Sequence, residues 1–385
     1  MDRLEETKDI LGRLIAFPTV SSDPNREMIE WLADRLDDAG AVVDVIAAPG
    51  GGKANLFATF GGDAPGGIVL SGHSDVVPVD GQDWSTDPFE MIERDGKLFG
   101  RGTCDMKGFI AAVMATLPDF ATAATRRPLH VAITHDEEVG CVGAQALCGW
   151  LKQRGVRPGA AIIGEPTSMR LVEGHKGCCE YRTEFRGRAG HGSDPGRAVN
   201  AVEYAVRYVT RLMELGEEMK GRAPADSRFD PPWTTVSTGL LTGGTAPNVI
   251  PETAGVEWEF RPVQASDFTH VRAEIEAHVR DVLLPAMRAV SPEAEIATEV
   301  LGEVAGLEPV PANEARDLVA RLTGANGADV VAFCTEAGLF AEFGMSAVIC
   351  GPGSIEQAHK PDEWLAVSQL ASCLDMLDGL AAQLS

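Results

Sequence analysis

The chain is 385 residues long, 44% hydrophobic and 23% charged, with a formal charge of -24 at pH 7. That length exceeds what one core usually covers, so two domains are expected, and the composition is that of a soluble globular protein. The acidic balance argues against nucleic acid and anionic membrane as partners. No apolar run reaches the length of a membrane span, and the start Met1-Asp2-Arg3-Leu4-Glu5-Glu6 is not that of a signal peptide.

Residues 1–39 carry two helical patterns, the second after the turn cluster Ser21-Ser22-Asp23-Pro24-Asn25. Ala41 to Ile46 and Ala54 to Phe60 read as strands separated by the turn Gly50-Gly51-Gly52. Up to about residue 165, β-like runs alternate with helical stretches such as Phe109 to Leu117 and Val142 to Leu151. That alternation predicts an α/β fold, with a mixed, mostly parallel sheet covered by helices. Around Gly177 the pattern changes. Cys179 to Arg186, Thr234 to Leu241, Gly255 to Arg261 and Glu295 to Val300 read as strands, and Arg197 to Glu214 and Phe268 to Leu284 as helices. The order β-α-β-β-α-β is that of a ferredoxin-like α+β module. The expected division is a catalytic domain in two parts, 1–177 and 305–385, interrupted by an inserted domain over 178–304. After about residue 304 the helix-strand alternation returns.

Eight cysteines stand at 104, 141, 148, 178, 179, 334, 350 and 373, with no C-x-x-C pair. This is the pattern of reduced, mostly buried thiols, and it points to the cytoplasm.

Five short hydrophobic runs lead to potential metal ligands. Val69-Leu70-Ser71-Gly72 leads to His73-Ser74-Asp75, and Lys97-Leu98-Phe99 precedes the glycine-rich stretch that ends on Asp105. Leu129 to Thr134 leads to Glu137-Glu138, Ala161 to Gly164 leads to Glu165, and Ala347 to Cys350 leads to the loop carrying His359. Ligands at the carboxyl ends of several strands of one sheet converge in space. Imidazoles with carboxylates suit zinc, cobalt or manganese. Each position also has a plainer reading. His73 can be a core histidine, Asp105 a helix N-cap, and Asp136-Glu137-Glu138 an acidic helix start. Pro166 pushes Glu165 into an extended conformation. The five coincidences taken together favour a metal enzyme. In such a site one of the adjacent glutamates binds metal while the other acts as base.

The strings that carry most information are Gly72-His73-Ser74-Asp75-Val76-Val77-Pro78-Val79, Gly100-Arg101-Gly102-Thr103-Cys104-Asp105-Met106-Lys107-Gly108, Asp136-Glu137-Glu138, Gly164-Glu165-Pro166-Thr167, Gly190-His191-Gly192-Ser193 and the His359 loop. They resemble the dinuclear-metal aminoacylase and carboxypeptidase family, across essentially the whole chain. His175-Lys176-Gly177, Cys334-Thr335-Glu336-Ala337 and Gly351-Pro352-Gly353-Ser354 look like its amino-acid deacetylase branch. The resemblance implies a zinc-exopeptidase-like catalytic fold and two divalent ions, zinc or alternatively cobalt. His73 and Glu165 would hold one ion and Glu138 and His359 the other, with Asp105 bridging both. Glu137 would be the general base and later the acid, and Asp75 would accept a hydrogen bond from His73 and orient it. A cis peptide is implied after Asp105.

By the same resemblance the inserted domain serves as lid and dimerisation module. From it, His191 would donate to the developing oxyanion, reaching across a homodimer, although a Gly-His-Gly-Ser loop also suits a surface turn. Asn248 and Arg261 would hold the substrate α-carboxylate, with Lys176 and Thr335 as further substrate contacts. Arg261 read alone could equally be an exposed strand arginine. The implied reaction is deacetylation of N-acetyl-L-ornithine. The alternative is another N-acyl amino acid, such as acetylcitrulline or succinyl-diaminopimelate, or a dipeptide. Desuccinylases tend to carry an arginine pair where this chain has His175-Lys176, which favours the deacetylase.

Overall fold

The computed structural model describes residues 2–62 and 64–384, and in it the apolar runs pair into one eight-stranded sheet. Its order is Val42–Ala47, Ala54–Phe60, Leu129–Thr134, Ile68–His73, Ala160–Pro166, Ser346–Gly351, Val172–His175 and Asp329–Val331. The four strands from Leu129–Thr134 to Ser346–Gly351 run parallel, while Val42–Ala47 and Ala54–Phe60 pair antiparallel at one side. The strands Ile68–His73, Leu129–Thr134 and Ala160–Pro166 are buried at every residue and mostly apolar, because both faces are covered. Leu70, Val131, Ile133, Ile162 and Val348 enter the core shared with helices Arg3–Ile15, Arg26–Asp38, Gly108–Ala115 and Val367–Leu384. Helices Val142–Arg154 and Ala337–Phe343 pack on the same strands and on each other. Gly108–Ala115 (GFIAAVMA) is buried at every residue, as its all-round apolar sequence requires.

The Glu165 strand has no room for a side chain at Gly164. A Cβ there would lie 2.0 Å from the Phe109 ring, and one at Gly351 would lie 2.0 Å from the Gly164 carbonyl. Gly164→Ala should therefore cost about 3 kcal/mol, the upper part of the usual range for overpacking. Thermal melting checks this, and an unchanged midpoint would mean that Phe109 has space to move.

The chain forms two compact units. One runs to Gly174 and resumes over 309–330 and from Thr335; the other comprises His175–Glu308 and Val331–Cys334. The second unit holds a four-stranded antiparallel sheet in the order Thr235–Gly243, Thr253–Arg261, Cys178–Arg186, Glu295–Val304. With helices Ala201–Lys220 and Ala265–His278 between its strands, this is the ferredoxin-like order expected from sequence. Alternation along Cys178–Arg186 and Thr253–Arg261 turns Cys179, Tyr181, Phe185, Val256, Trp258 and Phe260 inward. The helix expected over Arg197 to Glu214 begins at Ala201, because the Asn200 side chain accepts the Val202 and Glu203 amides and caps it. The one expected over Phe268 to Leu284 breaks into Ala265–His278, a π-turn at Val279–Leu283 and a short helix to Arg288.

None of the eight cysteines forms a disulfide, and no helix among the described residues is long and apolar enough to cross a membrane.

Candidate metal centre

Because four central strands are parallel, their carboxyl ends lie side by side. His73 closes one strand, Glu165 is the penultimate residue of the next, Glu137 and Glu138 follow Thr134, and His359 follows Gly351 on a loop. Asp105 reaches the site differently. Its preceding strand, Lys97–Phe99, belongs to a separate three-stranded sheet with Ile92–Arg94 and Trp364–Ala366. Convergence at the strand ends of one sheet therefore applies to the other four runs and not to this one. The Asp105–Met106 peptide is cis.

The plainer readings of these acids fail on geometry. The N-cap position of helix Gly108–Ala115 falls on Lys107, not on Asp105. Helix Val142–Arg154 begins after Cys141 and has no acidic residue in its first turn, so Glu137 and Glu138 do not serve its N-terminus.

The side chains form a chain of close contacts. His73 Nε2 lies 3.0 Å from Asp105 Oδ1 and 3.7 Å from Glu165 Oε1. His359 Nε2 lies 3.0 Å from Glu138 Oε2 and 3.6 Å from Asp105 Oδ2. Each Asp105 oxygen thus faces one imidazole. Ligand atoms of His73, Asp105 and Glu138, and those of His73, Glu137 and Glu165, lie within 4.8 Å of one another. His73, Asp105 and Glu165 are buried, whereas the His359 side chain is 53% exposed.

Burial pushes Glu137 well above the usual carboxylate range, and Glu138, Asp105 and Asp75 push it further. Burial and Asp105 also push Glu165 well above that range and raise Glu138. Burial would lower the basicity of His73, but the Asp105 hydrogen bond and the charges of Glu165 and Glu137 outweigh it and hold the ring well above its ordinary pKa. So many acids in a desolvated pocket require compensating positive charge. Glu165 Oε1 is buried with no hydrogen-bond partner. An orphaned carboxylate oxygen beside two imidazoles and a shared aspartate fits divalent cations of the zinc class.

Asp75 acts differently from expectation. His73 Nδ1 bonds to the Asp75 main-chain carbonyl at 2.9 Å, while the nearer carboxylate oxygen stands 3.7 Å away. That carboxylate is taken up by the Glu137 amide at 3.1 Å, the Glu138 amide at 3.3 Å and the Ser21 hydroxyl at 2.7 Å. The main chain of Asp75 therefore fixes the His73 tautomer, and its side chain fixes the turn bearing both glutamates. Glu336 is a further buried group that sequence reasoning assigned no role. It accepts hydrogen bonds from Ser71 and Thr134, two hydroxyls on the strands that deliver His73 and Glu137.

The substrate contacts expected in the second unit fare unevenly. His191 pairs with Val249 across a two-residue ladder, which sets it beside Asn248, whose carbonyl accepts the Gly192 amide at 2.9 Å. His191 Nδ1 accepts the Ser193 amide at 3.2 Å and lies 2.8 Å from the Ser193 hydroxyl. A nitrogen that accepts carries no proton, so the neutral ring has its hydrogen on Nε2. Arg261 pairs with Glu259 at 2.8 Å. The Lys176 ammonium donates to the carbonyls of Pro231 at 2.8 Å and Trp233 at 3.2 Å. Thr335 in the first unit is buried, and its hydroxyl accepts the Ala337 amide at the start of Ala337–Phe343. Each polar group serves local structure.

Comparison with known proteins gives the family. Residues 69–383 match the model of peptidase family M20/M25/M40. An acetylornithine deacetylase from Shigella sonnei is 36% identical over 364 residues, covering 93% of this chain and 92% of that one. An M20 family metallo-carboxypeptidase from Sulfolobus solfataricus superposes with a TM-score of 0.76 at 15% identity, covering 100% of this chain and 99% of the other. The Bacillus subtilis YXEP protein, a dinuclear metal-binding peptidase of the M20 family, gives 0.65 at 16% identity, covering 99% and 98%. The two solved structures share the fold, and the match along the sequence carries the kinship: the chain belongs to peptidase family M20/M25/M40 and is a metal-dependent amide hydrolase.

Proposed function

We propose that this enzyme hydrolyses N-acetyl-L-ornithine to L-ornithine and acetate, with two zinc ions, or cobalt in their place. The observation that carries the substrate is the 36% identity, over 93% of the chain, to an acetylornithine deacetylase. His73 and Glu165 would hold one ion and Glu138 and His359 the other, with Asp105 as a ligand between them. The distances of 3.0 Å and 3.6 Å from the Asp105 oxygens to the two imidazoles support that division. Divalent ions bound there supply Lewis acidity, which acidifies water and polarises an acyl oxygen. Glu137 takes a proton from the attacking water and returns it to the amine as the C–N bond breaks. His191 offers its Nε2–H to the oxyanion, and Arg261 and Asn248 hold the substrate carboxylate.

The enzyme acts in the cytoplasm as a homodimer formed through the inserted domain. Strand Thr235–Gly243 supports this, because it lies at a sheet edge with Leu240 and Leu241 both exposed. Such an edge readily pairs with another chain. Met213 and Val206, on the neighbouring helix Ala201–Lys220, are exposed as well.

Turnover of N-acetylornithine, N-acetylcitrulline, N-acetylglutamate and N-succinyl-diaminopimelate tests the substrate. Acetylornithine should lead in kcat/KM by about tenfold or more, since a site built for a polar group rejects analogues that leave it unpaired. A low rank for acetylornithine would replace it with whichever acyl amino acid leads.

A further inference from the structure

Four residues beyond His359, Glu363 is buried at 1% exposure, and its carboxylate accepts four hydrogen bonds. Oε2 takes Arg101 Nη1 at 2.8 Å and the Gly102 amide at 3.0 Å. Oε1 takes the Cys104 amide at 2.8 Å and the Asp105 amide at 3.1 Å. Three of the four donors are main-chain amides of the turn that ends on Asp105. That turn is irregular: Gly102 is left-handed at φ 86°, so neither a helix nor a sheet ladder satisfies these amides. The Glu363 carboxylate stands in for the missing secondary structure.

Arg101 extends the connection to the other side of the centre. Its guanidinium, also 1% exposed, stacks on the Trp84 ring and donates to Gln82 Oε1 at 2.5 Å and to the Lys360 carbonyl at 3.3 Å. Gln82 Nε2 in turn donates to the His359 carbonyl at 3.0 Å. One buried ion pair thus touches both the turn that presents Asp105 and the loop that presents His359. Stability alone does not call for such a pair, because well-packed apolar residues of similar volume often do as well or better. The two segments leave a common ladder, Lys97–Phe99 with Trp364–Ala366, which ends at the bond from the Gly100 amide to the Glu363 carbonyl at 3.0 Å, and the ion pair carries that register on to Asp105 and His359.

We infer that Glu363 is a positioning residue of the metal centre, holding the Asp105 turn directly and the His359 loop through Arg101 and Gln82 so that the two ligands face each other before an ion arrives. The inference rests on the reading of Asp105 and His359 as ligands. Glu363→Gln keeps the shape but leaves one oxygen to accept, and it turns an amino group toward donors.

Zinc alone, titrated into the full-length variant against a chromophoric chelator, should bind about 10- to 100-fold more weakly, as is usual when a ligand loses its outer support. Cobalt-loaded variant should show an altered visible spectrum, and in the metal-free protein the Gly102, Cys104 and Asp105 amides should exchange faster. A variant that melts earlier but keeps wild-type zinc affinity and cobalt spectrum overturns the inference, because Glu363 would then be structural only. Gln82→Ala decides the matter if Glu363→Gln does not fold: its side chain is half-buried, and the change removes the tie to His359 with the acceptor for Arg101 and Trp84 while leaving the four bonds of Glu363 in place. One zinc equivalent should weaken severalfold and the other stay, whereas two unchanged equivalents overturn the proposal. His359→Ala separates the underlying reading. If it still binds two equivalents with wild-type affinity, His359 is no ligand and both fail. If it loses one while Glu363→Gln loses nothing, only the positioning role fails.

Discussion

Replacing Glu137 by glutamine should leave both ions bound and lower kcat by about two to four orders of magnitude, the usual contribution of a positioned general acid–base. The substitution is nearly isosteric and removes only the capacity to take up a proton. The turn survives it, because the Glu137 amide, and not its side chain, is what Asp75 Oδ1 accepts at 3.1 Å. Glu138 keeps its contact of 3.0 Å with His359 Nε2, so the second ligand pair is untouched. KM should move little, since the proposed holders of the substrate carboxylate are Arg261 and Asn248. Steady-state kinetics together with metal analysis of the same preparation check this. A loss of less than tenfold with two ions bound would transfer the base to another group.

The same geometry explains how neighbours in sequence would divide the two proposed tasks. Glu138 reaches toward His359, while Glu137 shares a pocket with His73 and Glu165. A turn held only by packing could let the two exchange places. Here one carboxylate, Asp75, accepts both amides and fixes which side chain faces which way. The pair is thereby committed before any ligand binds, which is what an electrostatically preorganised site requires.

The parts legible in the sequence are those with a periodic or terminal signal. Largely apolar runs that lead to His73, Glu165 and Glu137-Glu138 mark strand ends, because a parallel strand buried on both faces is mostly apolar until it leaves the core. The alternation of Cys178–Arg186 likewise reveals a sheet with one face on a core. What stays hidden depends on partners distant in sequence or on main-chain atoms. Lys97–Phe99 has the look of another central strand, yet it pairs with Trp364–Ala366, far along the chain. His73 is oriented by a carbonyl, which every residue type possesses, so Asp75 could not be told from any other residue in that role. Lys176 and Glu363 have the composition of surface charges, and only the carbonyls or amides that surround them reveal why they are buried. Sequence patterns report which face of an element is wet, and they say little about which main-chain groups lack a partner.

Asp105→Asn should be the more damaging change at the centre itself. Each Asp105 oxygen faces one imidazole, so no other side chain among the described residues has the same relation to both halves of the site. An asparagine keeps the shape but presents one amino group, which cannot ligate, and it removes a negative charge from between the two binding positions. At least one zinc equivalent should be lost at micromolar concentrations, and kcat/KM should fall by about a thousandfold or more, since a catalytic ion contributes several kcal/mol. The loss should also appear without substrate. Ions that bind only the folded state raise its stability by mass action, so zinc should raise the melting temperature of the parent enzyme. Most of that shift should vanish in Asp105→Asn. In the parent a chelator abolishes turnover and zinc or cobalt restores it, whereas the variant should stay inactive after the same treatment. Full stoichiometry and a normal zinc-induced shift in the variant would mean that Asp105 supports the site from outside and bridges nothing.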